Sequence, residues 1–277
     1  MSIEGPISVN YHLYRPCNYH CQFCFATFND VAGSLDLPAQ RTLLRRLREA
    51  GCEKINFAGG EPTLYRGLGE LLREARALGF VTSIITNGAR LAELLADDAD
   101  AIDWVGLSID SADESTQARL GRGRGDHVAR SRRLAAAVHD AGIKLKLNTV
   151  VTALTWHEDM RPLVRELAPL RWKVFQVLPV GGQNEGKVEP LLITAAQFAE
   201  FVGRHADLPP RLAPVVEDNA AMTGSYAMID PLGRFFSNVS GQHTYSRPIL
   251  EVGVTTALAQ SHFMPHRLVR RGGVYAW

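Results

Sequence analysis

From residue 7 to about residue 178 of the 277-residue chain, short apolar runs alternate with longer amphipathic stretches. The runs Ile7–Tyr14, Lys54–Ala58, Phe80–Ile85, Asp103–Ile109, Ile143–Val150 and Trp172–Leu178 have strand length and strand composition. The stretches between them are spaced as helices. Pro38 opens one that runs to about Ala50, with Leu43, Leu44 and Leu47 on one face and arginines on the other; Gly51 stops it. Leu68–Leu78 and the short Ala89–Leu95 follow. A longer helical region is broken by Gly121–Gly125 and resumes over His127–Ala141, and Glu158–Leu167 is the fifth helix. Six βα-type units in succession imply a parallel sheet with right-handed crossovers. The expected fold class is α/β, a partial (βα)6 TIM-like barrel over residues 1–178. After Pro179 the pattern changes to a polar glycine-rich loop, a helix near Thr194–His205, and strand-like Tyr226–Ile229 and Arg234–Phe236 around a turn. Residues 179–277 are expected to be a C-terminal extension that closes the barrel within the same folding unit.

The net charge of +1 carries no nucleic-acid footprint, and no run of about eighteen apolar residues exists to span a membrane. The first ten residues lack a basic and an apolar region, so no secretion signal is expected. These features describe a soluble, cytoplasmic protein with no membrane or nucleic-acid partner.

Three of the four cysteines, Cys17, Cys21 and Cys24, fall within eight residues as C-x3-C-x2-C. That clustering argues against a disulfide framework. Thiolates so close converge on one centre and select zinc or an iron–sulfur cluster. A [4Fe–4S] cluster held by three cysteines leaves one iron open. Structural zinc takes four ligands, and His20 inside the loop keeps that alternative in play. In a barrel, chemistry gathers at the C-terminal ends of the strands. The cysteine loop, Gly59-Gly60-Glu61-Pro62, Thr86-Asn87-Gly88 and the turn at Asp110 all stand there in the expected order.

A second cluster is basic. Lys54, Lys146, Arg171 and Lys173 lie in or beside expected strands, where a core face excludes charge. Converging cations without carboxylates need an anion to neutralise them. A polyphosphate does so. The competing reading turns them outward or pairs them with carboxylates.

The cysteine spacing at the end of the first strand, with Gly59-Gly60-Glu61-Pro62 after the second, resembles the radical S-adenosylmethionine superfamily. The resemblance extends to the viperin family through Asn10-Tyr11-His12, Cys17 through Phe25, Glu53-Lys54-Ile55-Asn56-Phe57, Gly121-Arg122-Gly123, Arg171-Trp172-Lys173-Val174-Phe175-Gln176-Val177 and Arg271-Gly272-Gly273-Val274-Tyr275. These stretches run from about residue 8 to the C-terminus. The resemblance implies an enzyme that uses a [4Fe–4S] cluster and S-adenosyl-L-methionine. Through a 5′-deoxyadenosyl radical that takes the ribose 4′ hydrogen, it would convert a nucleoside triphosphate to its 3′-deoxy-3′,4′-didehydro analogue, a chain terminator in antiviral (anti-phage) defence. It further implies an electron donor such as a flavodoxin or ferredoxin.

By position, the resemblance makes Cys17, Cys21 and Cys24 the cluster ligands. Gly59, Gly60, Glu61, Thr86, Asn87, Ser108, Asp110 and Arg122 fall to S-adenosylmethionine. Asn10, Lys54, Asn56, Lys146, Asn148, Arg171, Lys173 and Tyr226 fall to the nucleotide, with Tyr226 also the candidate hydrogen donor. The N-terminal amphipathic, membrane-binding segment of animal viperins is not expected here. Ala26 and Ala58 replace a histidine and a serine of animal viperins near the substrate. The base is therefore open: CTP is the family default, and UTP or GTP serve prokaryotic relatives. A radical enzyme acting on a peptide is the alternative reading; it would need auxiliary cysteines, and only Cys52 remains.

Overall fold

The structure, a computed structural model, describes residues 5–275. The first four of the ten residues read for a secretion signal lie outside the described residues. The alternating pattern resolves into β1 (Ser8–Tyr14), α1 (Leu37–Glu49), β2 (Lys54–Gly59), α2 (Leu68–Ala77), β3 (Val81–Thr86), α3 (Leu91–Asp98), β4 (Trp104–Ser108), α4 (Glu114–Arg119), α5 (His127–Asp140), β5 (Lys144–Val151), α6 (Arg161–Leu167) and β6 (Arg171–Gln176). Beyond them come α7 (Ala195–Arg204), β7 (Pro214–Glu217), β8 (Ala227–Ile229), β9 (Arg234–Ser237) and β10 (Thr244–Pro248).

All ten strands form one sheet in the order β10-β9-β8-β1-β2-β3-β4-β5-β6-β7. From β8 through β1 to β7 every pairing is parallel. The six expected parallel strands therefore gain a neighbour at each edge. The segment Pro214–Glu217, for which the sequence pattern predicts no element, pairs with Trp172–Phe175, and the strand read at Tyr226–Ile229 lies parallel to β1. Only β9 and β10 are antiparallel.

Along each strand, side chains alternate between the helices outside and the barrel interior. In β1, Val9, Tyr11 and Leu13 enter the apolar core while Ser8, Asn10 and His12 line the interior. In β2, Ile55 and Phe57 point out and Lys54, Asn56 and Ala58 point in. In β6, Trp172 and Val174 point out and Arg171, Lys173 and Phe175 point in. The interior is thus polar, and the core lies between sheet and helices.

Two helix boundaries differ from their sequence expectation for local reasons. The helix expected from Glu158 begins at Arg161, because the Glu158 carboxylate accepts hydrogen bonds from Ser111 Oγ at 2.8 Å and Ala112 N at 3.2 Å. The short helix expected from Ala89 begins at Leu91, after Asn87 Oδ1 accepts from Ala89 N at 3.0 Å in a turn. No described helix is long and apolar enough to cross a membrane.

Candidate active site

A cavity of about 930 Å³ runs down the barrel from the cysteine loop to the N-terminal ends of β2, β5 and β6. Cys17, Cys21, Cys24, Gly59, Gly60, Glu61, Thr86, Asn87, Ser108 and Arg122 line it. So do Asn10, Lys54, Asn56, Lys146, Asn148, Arg171, Lys173 and Tyr226. Of the residues singled out in the sequence, Asp110 alone is not on the wall.

The cysteine loop is held by the segment after α4. His20 N donates to Gly121 O and Gln22 N to Leu120 O, both at 3.1 Å. Gly121 has φ +82°, and a Cβ there would stand 2.2 Å from His20 O, so a side chain has no room. Cys17 Sγ accepts from Tyr19 N at 3.4 Å and faces Asn87 Nδ2 at 3.8 Å. Burial pushes all three thiols up, Cys21 to about 12, and the Arg122 guanidinium works against it. A bound cation would favour the thiolates far more strongly. Among the described residues no group of three or more His, Cys, Asp or Glu closes on a single metal ion. Three soft donors on one wall, without a fourth side chain, fit a polynuclear cluster that binds one cysteine per iron and leaves one iron open. Cys52 is elsewhere, fully buried in the core, with Sγ 3.3 Å from Lys54 O.

Gly59-Gly60-Glu61-Pro62 serves the chain's own backbone first. A Cβ on Gly60 would lie 2.1 Å from Arg15 O, and one on Gly59 2.4 Å from Tyr14 O. The glycines are required because the exit of β1 crosses directly over them. Glu61 is 1% exposed, and its carboxylate accepts from Thr63 N at 3.0 Å, Thr63 Oγ1 at 2.6 Å, Thr86 Oγ1 and Asn87 N at 2.7 Å. It ties the β2 and β3 loops together; Asn87 Nδ2 then bonds Asn18 Oδ1 at 2.9 Å in the cysteine loop. Three motifs distant in sequence thus form one hydrogen-bonded rim.

Asp110 lies behind Arg122. It forms a buried ion pair with the guanidinium and accepts from Val150 N at 2.9 Å. Burial disfavours the Arg122 charge, but Asp110, with the Cys21 and Cys24 thiol groups, more than offsets it and raises the pKa. Asp110 therefore acts on the cavity through Arg122, which also stacks over Phe23.

The cations gather at the opposite end. Lys54 and Lys146 are 1% and 5% exposed. Burial lowers the Lys54 pKa to about 7, helped by Arg171 and Lys144. Burial and then Lys54 hold Lys146 well below the usual lysine range. The expectation that no carboxylate stands nearby fails at Glu217, and the Asp103 carboxylate also acts on Lys54. Glu217, at the end of β7 and fully buried, pairs with Lys173 Nζ at 2.7 Å and with Arg271 Nη1 at 3.3 Å. The Tyr226 hydroxyl donates to Glu217 Oε2 and accepts from Lys173 Nζ. Burial, then Glu217, pushes the Tyr226 pKa well above the usual phenol value, so the phenol stays protonated. Burial lowers Lys173 to about 8, with Glu217 offsetting part of the effect. This quartet bridges β7 and β8, where the parallel ladder is open.

Glu217, Arg271 and Tyr275 were not among the residues assigned from sequence. Tyr275 accepts from Lys54 Nζ at 3.0 Å, and the Arg171 guanidinium stacks 4.0 Å from its ring centroid. Arg171 Nη2 also donates to Gly272 O at 2.6 Å. The C-terminal Arg271–Tyr275 segment therefore closes the floor of the barrel. The motif Arg-Gly-Gly-x-Tyr was the available signal for both C-terminal side chains; nothing local marked Glu217.

Comparison with known proteins agrees with this arrangement. The Radical SAM superfamily matches residues 11–165. An S-adenosylmethionine-dependent nucleotide dehydratase of Flammeovirga pacifica is 42% identical over 98% of this chain and 96% of its own length. One of Lacinutrix mariniflava is 41% identical over 98% of this chain, which spans 58% of that longer protein. Among solved structures, Streptococcus suis SuiB bound to S-adenosylmethionine is similar in fold, with a TM-score of 0.67 and 20% identity over 84% of this chain and 60% of its own. The chain belongs to the Radical SAM superfamily, whose members use a [4Fe–4S] cluster and S-adenosylmethionine, and within it to the family of the S-adenosylmethionine-dependent nucleotide dehydratases.

Proposed function

We propose that this protein removes water from the ribose of a nucleoside triphosphate, giving the 3′-deoxy-3′,4′-didehydro nucleotide. One observation carries the reading: a single cavity joins three cysteines at its mouth to a floor of buried cations. When bound, the cluster and S-adenosylmethionine supply a carbon-centred radical able to take a ribose 4′ hydrogen atom. Cys17, Cys21 and Cys24 would hold the cluster. Arg122, fixed by Asp110, offers a charge to the methionine carboxylate, and Asn87 and Ser108 offer polar groups to the ribose of the cofactor.

Lys54, Lys146, Arg171, Lys173 and Arg271 are five basic side chains on the cavity wall, and Glu217 pairs with the last two of them. They bind the triphosphate and fix the depth at which the ribose stands. The buried walls exclude water from the reacting carbon. Tyr226 keeps its proton and is the hydrogen donor within reach of the floor. Loss of the 3′ hydroxyl as water, with one electron and one proton taken up, completes the balance. The electron comes from a small redox protein such as a flavodoxin or ferredoxin. The product lacks a 3′ hydroxyl and stops RNA chains, which suits antiviral (anti-phage) defence.

The test is anaerobic incubation of the reconstituted protein with S-adenosylmethionine, a reductant and CTP, UTP, GTP or ATP in turn. A product lighter by one water from one of them, CTP first, is the expected result. 5′-Deoxyadenosine formed without loss of any nucleotide would defeat the proposal.

A further inference from the structure

One aromatic at the barrel floor stands behind the cavity wall, against the lysines that line it. Trp104, the first residue of β4, is 3% exposed. Three ammonium groups stand over its ring, with Lys54 Nζ at 5.0 Å, Lys144 Nζ at 5.3 Å and Lys146 Nζ at 5.4 Å from the centroid. Tyr275 meets the same ring edge-on at 5.8 Å and 90°. Among the described residues the buried indole Nε1 has no hydrogen-bond partner. Lys54 and Lys146 line the cavity, whereas Trp104 and Lys144 do not.

Like charges this close repel, and long side chains escape repulsion by swinging away. Two devices can hold them. A carboxylate holds an ammonium but neutralises it, as Glu217 does for Lys173. An aromatic face holds an ammonium through its quadrupole and adds no negative charge that would compete with an incoming anion. Lys146 illustrates the second device: among the described residues it makes no ion pair, and its ammonium lies over Trp104 and, at 6.0 Å, over Tyr275.

We infer that Trp104 is a positioning residue of the polyphosphate site, its ring face seating the Lys146 side chain, with Lys54 beside it, for the incoming anion. Only the identity of the anion as a nucleotide rests on the proposed function; the seating of the lysines does not.

The test reads binding of inorganic tripolyphosphate by calorimetry to the reconstituted protein loaded with S-adenosylmethionine, so neither base nor turnover is needed. Trp104→Leu should raise the dissociation constant about tenfold, and Trp104→Phe, which keeps an aromatic face, should recover most of the loss. Affinity for S-adenosylmethionine and iron content should stay at wild-type values in both. Because Trp104→Leu removes a buried ring, a second arm leaves the shape intact. Protein labelled throughout with trifluorotryptophan should bind tripolyphosphate more weakly than unlabelled protein, and labelling Trp104→Phe should change nothing. Three results would each overturn the inference: wild-type affinity in Trp104→Leu, equal weakening in Trp104→Phe, or a parallel fall in cofactor affinity. Tripolyphosphate data as expected beside failure to dehydrate any nucleotide would remove the proposed function and leave this inference standing.

Discussion

Raising the pH should weaken nucleotide binding by an amount that can be calculated from Lys54. In the free protein, burial and the Arg171 and Lys144 charges lower its pKa to about 7. A bound triphosphate restores a counterion and returns the pKa towards the ordinary lysine value of about 10.4. The complex then binds more protons than its parts, so affinity falls as pH rises above the free-protein value. For Lys54 alone, linkage gives a loss of about twentyfold between about pH 7.5 and about pH 9. Lys146, held well below the usual range, takes up a further proton and steepens the slope. The terminal phosphate has finished titrating below this window, with a pKa of about 6. Calorimetry in buffers of different ionisation enthalpy counts the protons directly; about one or more should be taken up per nucleotide at about pH 8. The Lys54 contribution to stability without nucleotide runs the other way. Its folded pKa lies below its unfolded one, so the unfolded chain binds more protons and stability grows as pH rises from about 7 towards 10. Zero uptake, proton release, or an unchanged slope in Lys54→Met would refute the reasoning.

Other consequences follow from single contacts. Glu217→Gln leaves Lys173 and Arg271 buried beside a neutral amide, a loss of about 3 kcal/mol that lowers the melting temperature by about 5 °C; CTP should recover more of that in the variant than it adds to wild type, and an unchanged melting temperature would exclude the ion-pair role. Gly121→Ala forces a Cβ onto His20 O and should lower iron retention on gel filtration while leaving the barrel's circular dichroism intact; full retention would show that the loop does not depend on this contact. Lys173→Ala should weaken CTP binding by about tenfold or more with iron content unchanged, whereas Cys21→Ala should lose the iron; iron loss in Lys173→Ala would make that lysine structural.

What could be read from the chain was what local pattern carries. The βα alternation, the cysteine spacing and the strand-borne cations all have short-range signatures, and the structure brings the residues they mark into one cavity. What could not be read depended on pairing across long separations. Pro214–Glu217 follows two prolines and has half-exposed residues, so nothing in its composition announces a strand; it becomes one because β6 offers an edge. Glu217 then reaches Lys173 and Arg271 only through that pairing. Asp110 stands at the right end of β4, yet Arg122, twelve residues on, folds back over it and takes the cavity wall. Gly59 and Gly60 line the cavity, and their lack of a Cβ is also what lets the backbone of Tyr14, Arg15 and Pro16 cross over them, a contact the sequence does not announce.

The barrel's inverted polarity explains why these parts belong together. An ordinary barrel interior is filled with apolar side chains and has no cavity. Here the inward positions of β1, β2, β5 and β6 hold serine, asparagine, lysine and arginine, and the apolar set faces the helices. Such an interior costs free energy, because like charges converge in a buried site with few carboxylates to offset them. A polyanion of the right length relieves that cost, while the rigid parallel ladder fixes the spacing from floor to rim. The pKa depression of Lys54 and Lys146 is the measure of what the anion restores, and the strand rise between Lys54 and Gly60 sets where the rest of the ligand meets the cysteine loop. On the proposed function, binding energy collected at the floor is converted into position at the rim, where the radical would have to meet one hydrogen and no other.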